Sequence, residues 1–158
     1  MTLAPTHTER SAFEPADPRY AERVRASFAR QGAMRLIGAE LVAVSAGYCA
    51  VALAPRPEVA QQHPNQHAGV VAAIVDSAGG YAGFTLFPSD ASVLTVEYKL
   101  NLLAPATGDR LVAEGFVVKP GRTLVITRGE VHAEREGVRT LVALMQQTLM
   151  IMRGKPDG

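Results

Sequence analysis

The chain contains stretches in which apolar residues alternate with small or polar ones, a spacing that is typical of β-strands. Two such stretches run from Met34 to Pro55 and meet at Ser45-Ala46-Gly47, where small residues favour a tight turn. We therefore expect a β-hairpin that begins at Met34 and ends before Pro55, since proline cannot continue a strand ladder.

Two other stretches have helical patterns. Residues 68 to about 86 are apolar almost all round and rich in Ala and Gly, which predicts a long helix enclosed by other elements. Asp17 and Pro18 predict the cap and the first position of a shorter helix, which has one modest apolar face and stops at Gly32.

Four more alternating stretches follow the long helix, and short connectors separate them. The last stretch could pass for a helix by composition, but its residues 138–144 alternate with period two, which favours a strand. Short connectors favour antiparallel neighbours, because parallel strands need crossovers of about a dozen residues. The predicted strands span residues 92–103, 110–120, 123–135 and 138–152.

Six predicted strands and one enclosed helix indicate an α+β protein with the hotdog fold, in which a curved antiparallel sheet wraps one central helix. The shorter N-terminal helix is expected to dock on this unit. We expect one hotdog domain over residues 17–152, with a flexible tail at residues 1–16 and a C-terminal tail at residues 153–158. An open sheet of this size leaves an edge that commonly pairs with a second copy, so a homodimer, or a homotetramer built from two dimers, is predicted.

Composition and charge narrow the classes of function. A formal net charge of +1 without a dense basic run gives little attraction for nucleic acid or an anionic membrane. The N-terminus lacks a signal-peptide pattern, no apolar run is long enough to span a bilayer, and Cys49 is the single cysteine, so we expect a cytoplasmic protein. The sequence has no Cys/His cluster for zinc, no Gly-rich nucleotide loop and no serine-hydrolase elbow, so neither a metal nor a separate cofactor is expected.

Asp76 is the main candidate for chemistry. It is the single acid in the long helix, and it follows Ile74 and Val75 in an apolar run. A lone carboxylate is costly to bury and a poor helix former, and no cation lies three or four positions away. We favour a catalytic carboxylate; the alternative is a structural acid that bonds a neighbouring strand or caps a kink at Gly79-Gly80.

Several short motifs follow one another in an order that resembles the hotdog-fold acyl-CoA thioesterases of the phenylacetate-pathway (PaaI-type) group over roughly residues 35–150. The motifs are His67-Ala68-Gly69, the acid nine positions after the histidine at Asp76, Leu94-Thr95-Val96-Glu97, Leu103-Ala104-Pro105 and Pro120-Gly121-Arg122. Each is weak by itself, whereas their order and spacing together are fairly specific. The resemblance implies hydrolysis of the thioester of an acyl-CoA, with coenzyme A as part of the substrate, in a site that two subunits share.

The resemblance also implies roles for individual residues. Asp76 matches the catalytic carboxylate, a general base on water or a nucleophile, and Thr95 matches a hydroxyl that assists it. Gln61 matches a position, often Asn, that places the water or the substrate, and the Ala68 backbone N–H matches the donor to the thioester carbonyl. The residues implied to bind substrate are His67, Gly69, Asn65, Gly121 and Arg122, the last as a grip on a coenzyme A phosphate. The chain departs from the family pattern where Gln replaces the shorter Asn and where Ala68 replaces the first Gly of His-Gly-Gly.

Elementary electrostatics agrees with these roles. The first turn of a helix has unpaired N–H groups and the positive end of a dipole, which suit the negative charge that develops on a thioester carbonyl under attack. Asp76 lies about 13 Å further along an ideal helix, so it cannot act in that same turn. We therefore expect an antiparallel second subunit to supply the helix start.

Other interpretations stay open. An acyl-thioester dehydratase or hydratase shares the fold but pairs a His with a carboxylate, and the chain has no His-Phe-Pro segment. A non-catalytic acyl-CoA-binding module would bind ligand without turnover. His67 could shape its loop or act as an acid or base, and Gly121 and Arg122 could form a plain hairpin turn. The acyl group is expected to be an aryl or a short- to medium-chain aliphatic group.

Overall fold

A six-stranded antiparallel sheet curls around one long helix in the computed structural model, which describes residues 13–157. The helices are α1 (Tyr20–Arg30), α2 (Gly32–Ile37) and α3 (Ala68–Phe84). The strands are β1 (Ala39–Ser45), β2 (Tyr48–Leu53), β3 (Ala91–Leu102), β4 (Arg110–Lys119), β5 (Leu124–Arg135) and β6 (Val138–Arg153), in the sheet order β1-β2-β4-β5-β6-β3. The predicted α+β hotdog architecture, with its antiparallel strands and central helix, is confirmed.

The first hairpin forms around the predicted turn but starts later than predicted. β1 and β2 pair on either side of Ala46-Gly47, whereas the segment from Gly32 to Ile37, predicted as the end of a helix and the start of a strand, forms α2. Gly38 explains the difference, because it adopts a left-handed conformation (φ 77°) and its N–H bonds the Arg35 carbonyl. A glycine in that conformation is a helix stop, and it overrides the period of two before it.

The predicted start of the first helix is also wrong by a few residues. Asp17 accepts a hydrogen bond from the Arg19 N–H at 2.9 Å and pairs with the Arg23 guanidinium at 2.9 Å. Pro18 therefore lies in a turn, and α1 begins at Tyr20.

Two facing glycines bring the sheet into contact with the central helix. Gly115 on β4 pairs in register with Gly129 on β5. A Cβ at Gly115 would collide with the backbone carbonyl of Ala78 in α3, and a Cβ at Gly129 would collide with the Val75 side chain. α3 therefore lies directly on the backbone of the sheet at this point, and the two glycines set the distance between the helix and the sheet.

We expect Gly115→Ala to destabilise the protein by about 3 kcal/mol, because the colliding atom belongs to the helix backbone and cannot rotate away. For a chain of this size that corresponds to a fall of about 6–12 °C in Tm in a thermal melt. Gly80→Ala is the matched control, since its Cβ would meet nothing within 4 Å and alanine is the better helix former. Equal melting temperatures for the two variants would contradict this account of the packing.

Helix α1 packs against the C-terminal half of α3 and adds to the core there. Val24 of α1 is fully buried in the same apolar cluster as Phe84, and Ser27 of α1 lies within hydrogen-bond distance, 2.9 Å, of the Tyr81 hydroxyl.

The predicted domain boundaries stay a prediction, and most of the predicted N-terminal tail, residues 1–12, lies outside the described residues. None of the helices within residues 13–157 is long and apolar enough to cross a membrane.

Candidate active site

Asp76 is half-buried where α3 faces β3 and β6. The Thr95 hydroxyl on β3 donates to Asp76 Oδ1 at 2.9 Å. Gln147 on β6 donates through Nε2 to the same oxygen in a short hydrogen bond, and to the Asp76 backbone carbonyl at 3.1 Å. The carboxylate is thus held at one oxygen by side chains from two strands.

The other carboxylate oxygen of Asp76 is left for chemistry. Oδ2 accepts no hydrogen bond from any residue within 13–157, and it is not one of the buried unpaired atoms of that range, so it is open to solvent. Burial raises the pKa of the carboxyl, while the hydrogen bonds from Thr95 and Gln147 oppose that rise. A carboxyl group with a raised pKa and one open oxygen is suited to act as a base or a nucleophile.

The first turn of α3 is capped in a way that leaves one amide free. His67 Nδ1 accepts from the Gly69 N–H at 2.9 Å, and the His67 carbonyl accepts from the Val70 and Val71 N–H groups at 2.9 and 3.1 Å. Ala68 is exposed, and its N–H has no acceptor among the residues that the structure describes. A free N–H at the positive end of a helix is a ready donor to an oxyanion.

A cavity of about 280 Å³, the helix-start cavity, opens beside this free amide. Gln61, His67 and Ala68 line it together with Gln62, Gln66, Val71, Leu102, Ala104, Pro105, Ala106 and Val142. Asn65 is not part of the lining; its carbonyl accepts from the Gln61 N–H at 2.9 Å and so shapes the loop that carries Gln61. Beyond the glutamines and His67, the residues that line the cavity are apolar, which suits an apolar part of a small ligand.

The predicted site residues do not all meet within one chain. Asp76 and Thr95 lie outside the lining of the helix-start cavity. Gly121 and Arg122 form the exposed turn between β4 and β5, near the C-terminal half of α3, where Val125 packs in the cluster of Phe84. A single chain therefore presents an acid, a free amide and a basic turn at three separate places.

Gln147 and Thr127 contact the acid or support it, and the sequence did not single them out. Gln147 is 1% exposed, and its Oε1 accepts from the Thr127 hydroxyl at 2.8 Å. The sequence carried a signal, because Gln147 shares its strand parity with buried Met145 and Leu149 while its neighbour Gln146 is exposed. A polar residue in the apolar phase of a strand indicates a buried polar partner.

Metal ligands are absent from the part of the chain that the structure describes: no three His, Cys, Asp or Glu side chains of residues 13–157 lie close enough to hold an ion. The expected absence of a cofactor stays a prediction.

Comparison with known proteins identifies the family. Residues 63–140 match the family model described as the thioesterase superfamily. A thioesterase family protein of Silicibacter pomeroyi is 43% identical in sequence, with a TM-score of 0.84 over 85% of this chain and 99% of that chain. The chain belongs to the thioesterase superfamily. The predicted relationship to hotdog thioesterases is thus confirmed at the level of the superfamily.

Two further known proteins are less similar to the chain. The Escherichia coli PaaI protein from the phenylacetic acid degradation operon has a TM-score of 0.75 over 89% of this chain and 98% of that chain, but it is 17% identical, so this likeness concerns the fold alone. A candidate esterase from Halobacterium salinarum is 38% identical over 60 residues, which span 37% of this chain and 39% of that protein. The matched range 63–140 contains the free amide, the acid, Thr95 and the basic turn, and it excludes Gln61.

Proposed function

We propose that the chain is an acyl-CoA thioesterase of the PaaI-type group, which hydrolyses an aryl- or short- to medium-chain acyl-CoA to the free acid and coenzyme A in the cytoplasm. One observation carries the proposal: the half-buried Asp76 has a raised pKa, two side-chain donors on Oδ1 and an open Oδ2. Both proposed roles, base and nucleophile, need such an oxygen, which no side chain of residues 13–157 occupies and which water or substrate can reach. Membership of the thioesterase superfamily supports thioester hydrolysis as the reaction.

The proposed reaction uses two features of the chain. The thioester oxygen accepts from the free Ala68 N–H, which stabilises the negative charge that develops as the carbonyl is attacked. Asp76 Oδ2 either takes a proton from the attacking water, which then forms the new C–O bond, or attacks the carbonyl itself to form an acyl-aspartyl anhydride that water hydrolyses in a second step. In both routes the C–S bond breaks, and the sulfur leaves as a thiolate that takes up a proton. Gln61 lines the helix-start cavity, and in the proposed reaction it orients the water or the acyl group.

The separation of acid and amide leads us to propose a homodimer as the active unit. β3 is an edge strand of the sheet, and it exposes the apolar side chains Leu94, Val96 and Tyr98 at 53%, 51% and 48%. Exposed apolar edge strands commonly pair with a second copy. Antiparallel pairing of two copies would bring Thr95 and Asp76 of one chain toward the helix start of the other, and two dimers could then form a tetramer.

The same arrangement gives Arg122 a role. The β4–β5 turn lies near the C-terminal half of α3, which in an antiparallel pair of helices is the half beside the partner's helix start. Arg122 is exposed there and forms no ion pair with any residue in the described range 13–157. A guanidinium that is free of local carboxylates can bind a coenzyme A phosphate.

We expect the purified protein to release free thiol from at least one acyl-CoA in a screen of aryl and straight-chain acyl groups, measured with a thiol reagent. Enoyl- and 3-hydroxyacyl-CoA belong in the same screen, because interconversion of these two without thiol release would identify a hydratase instead. Calorimetric binding of the same acyl-CoAs with no conversion would identify a binding module. Either outcome would overturn the proposed reaction.

A further inference from the structure

The side chains around Asp76 form a closed hydrogen-bonded group that reaches deeper than the acid and Thr95. Gln147 Nε2 lies within hydrogen-bond distance of Asp76 Oδ1, of the Asp76 carbonyl at 3.1 Å and of Thr95 Oγ1 at 3.2 Å. Both Asp76 atoms are acceptors, so the amide must present its NH₂ group to them and its oxygen to the other side. Thr127, which is fully buried, meets that oxygen with its hydroxyl at 2.8 Å.

The central helix is shaped to accept this amide. Gly79 lies three residues after Asp76 in α3, and a Cβ there would collide with Gln147 Oε1 and come within 3.1 Å of Thr127 Oγ1. Gly80, the next residue, has open space where its Cβ would be. A glycine costs a helix up to about 1 kcal/mol relative to alanine, so the position of Gly79 is explained by the room that Gln147 needs.

We propose that Gln147 is a positioning residue for the reacting carboxylate: it holds Asp76 by one oxygen, leaves the other free to react, and is itself kept in orientation by Thr127 and by the space at Gly79. The expected effect on catalysis rests on the proposed thioesterase reaction. The positioning of Asp76 by Gln147 is supported independently by the hydrogen bonds among Asp76, Gln147 and Thr127 and by the space at Gly79.

Charged groups near the acid do not offer a second explanation within the described residues. α3 contains no other charged side chain, and its Tyr81 hydroxyl is within hydrogen-bond distance of Ser27. Glu97 and Lys99 of β3 are exposed. On β5 and β6, Arg128 pairs with Glu130, Arg139 pairs with Glu114, and Arg153 donates to the Arg122 carbonyl. Hydrogen bonds from Thr95 and Gln147, rather than ion pairs, therefore oppose the rise in the pKa of Asp76 that burial causes.

The test compares Gln147→Leu with Gln146→Leu, the same change one residue earlier on the exposed side of β6. Gln147→Leu removes a hydrogen-bond donor to the Asp76 carboxylate and should raise the pKa of Asp76 by about one unit. A hydrogen bond favours the ionised form by a free energy that corresponds to about one pKa unit. A ¹³C-NMR titration of the Asp76 carboxyl should show the rise in Gln147→Leu and not in Gln146→Leu. The acid limb of kcat/KM should move upward by a similar amount, with kcat lowered about tenfold and KM little changed.

Thr127→Val and Gly79→Ala act on Gln147 without touching the acid. Both should shift the titration of Asp76 in the same direction, by less than Gln147→Leu does, since the amide can then rotate away from the carboxylate. Gly80→Ala, with open space at its Cβ, should leave the titration unchanged.

A merely structural Gln147 would lower the melting temperature while the titration of Asp76 and the pH profile stayed as in the wild type, and that result would overturn the inference. The NMR titration needs no substrate, so it decides the role of Gln147 on the carboxylate even if the thiol-release screen finds no activity. Conversely, a wild-type enzyme that releases thiol while Gln147→Leu has an unchanged carboxyl titration would refute the inference and leave the proposed function intact.

Discussion

Replacing Asp76 with Asn should reduce thiol release by about 10²–10⁴-fold, the usual contribution of a positioned base, while the protein stays folded and its oligomeric state persists. Asn keeps the shape of the side chain and one carbonyl oxygen, so Thr95 can still donate to it. What the variant loses is the open, ionisable oxygen. The measurement is kcat with the best acyl-CoA from the screen, together with gel filtration of both proteins.

The stability of Asp76→Asn separates a catalytic acid from a structural one. A raised pKa means that the folded state holds the proton more tightly than the unfolded chain, so above that pKa the ionised carboxylate lowers the free energy of unfolding. Removing the charge should therefore leave the Tm at neutral pH equal or higher. The difference should shrink as pH falls through the folded pKa, where the wild-type carboxyl becomes neutral as well.

The pH dependence of the wild-type enzyme follows from the same shift. The proposed reaction requires ionised Asp76, so kcat/KM should fall as pH drops through a pKa above the ordinary aspartate value of 3.8. An Asp76→Asn variant that keeps the wild-type rate would contradict the catalytic assignment of Asp76. The same conclusion would follow if this variant lost its activity because it no longer folds.

Sequence patterns predicted the fold because its elements are governed by local rules. The alternation along residues 138–153 predicts a strand, and the uniform apolarity of α3 predicts a helix that the sheet encloses. Where prediction went wrong, at Gly32 and Gly38, the signals competed: a short alternating run was overridden by a glycine with positive φ. Local periodicity over six residues is too weak to decide such a case.

The site was less accessible from sequence, because its parts are brought together by tertiary packing. Asp76 stood out as a lone acid in an apolar helix, and its contact with Thr95 followed the family pattern. Gln147 comes from a strand more than seventy residues after Asp76 in the chain, and its importance becomes visible once the register of β6 is known. The family resemblance pointed to the Ala68 N–H, but the hydrogen bonds around it were not predicted: His67 Nδ1 accepts from Gly69, and the His67 carbonyl accepts from Val70 and Val71.

Replacing Ala68 with Pro should abolish the proposed oxyanion donor with little effect on the fold. Proline is well tolerated at the first position of a helix, and His67 before it already has the extended backbone (φ −63°, ψ 139°) that a following proline requires. The Ala68 N–H makes no hydrogen bond with residues 13–157, so the fold loses none. We expect kcat to fall by about 10²–10³-fold, the usual effect of losing one oxyanion donor, with an unchanged Tm. Ala68→Gly keeps the N–H and should keep the activity.

Mixing the two inactive variants tests whether two chains build the site. In a heterodimer of Ala68→Pro and Asp76→Asn, a site that takes its amide from one chain and its acid from the other is doubly defective on one side and intact on the other. Such a heterodimer, purified with two different tags, should regain about half of the wild-type activity per dimer. A site built within one chain would carry one defect on each side and regain nothing. Recovered activity would therefore show that one active site takes its acid from one chain and its free amide from the other, across the β3 edge. The two groups lie apart in a single chain.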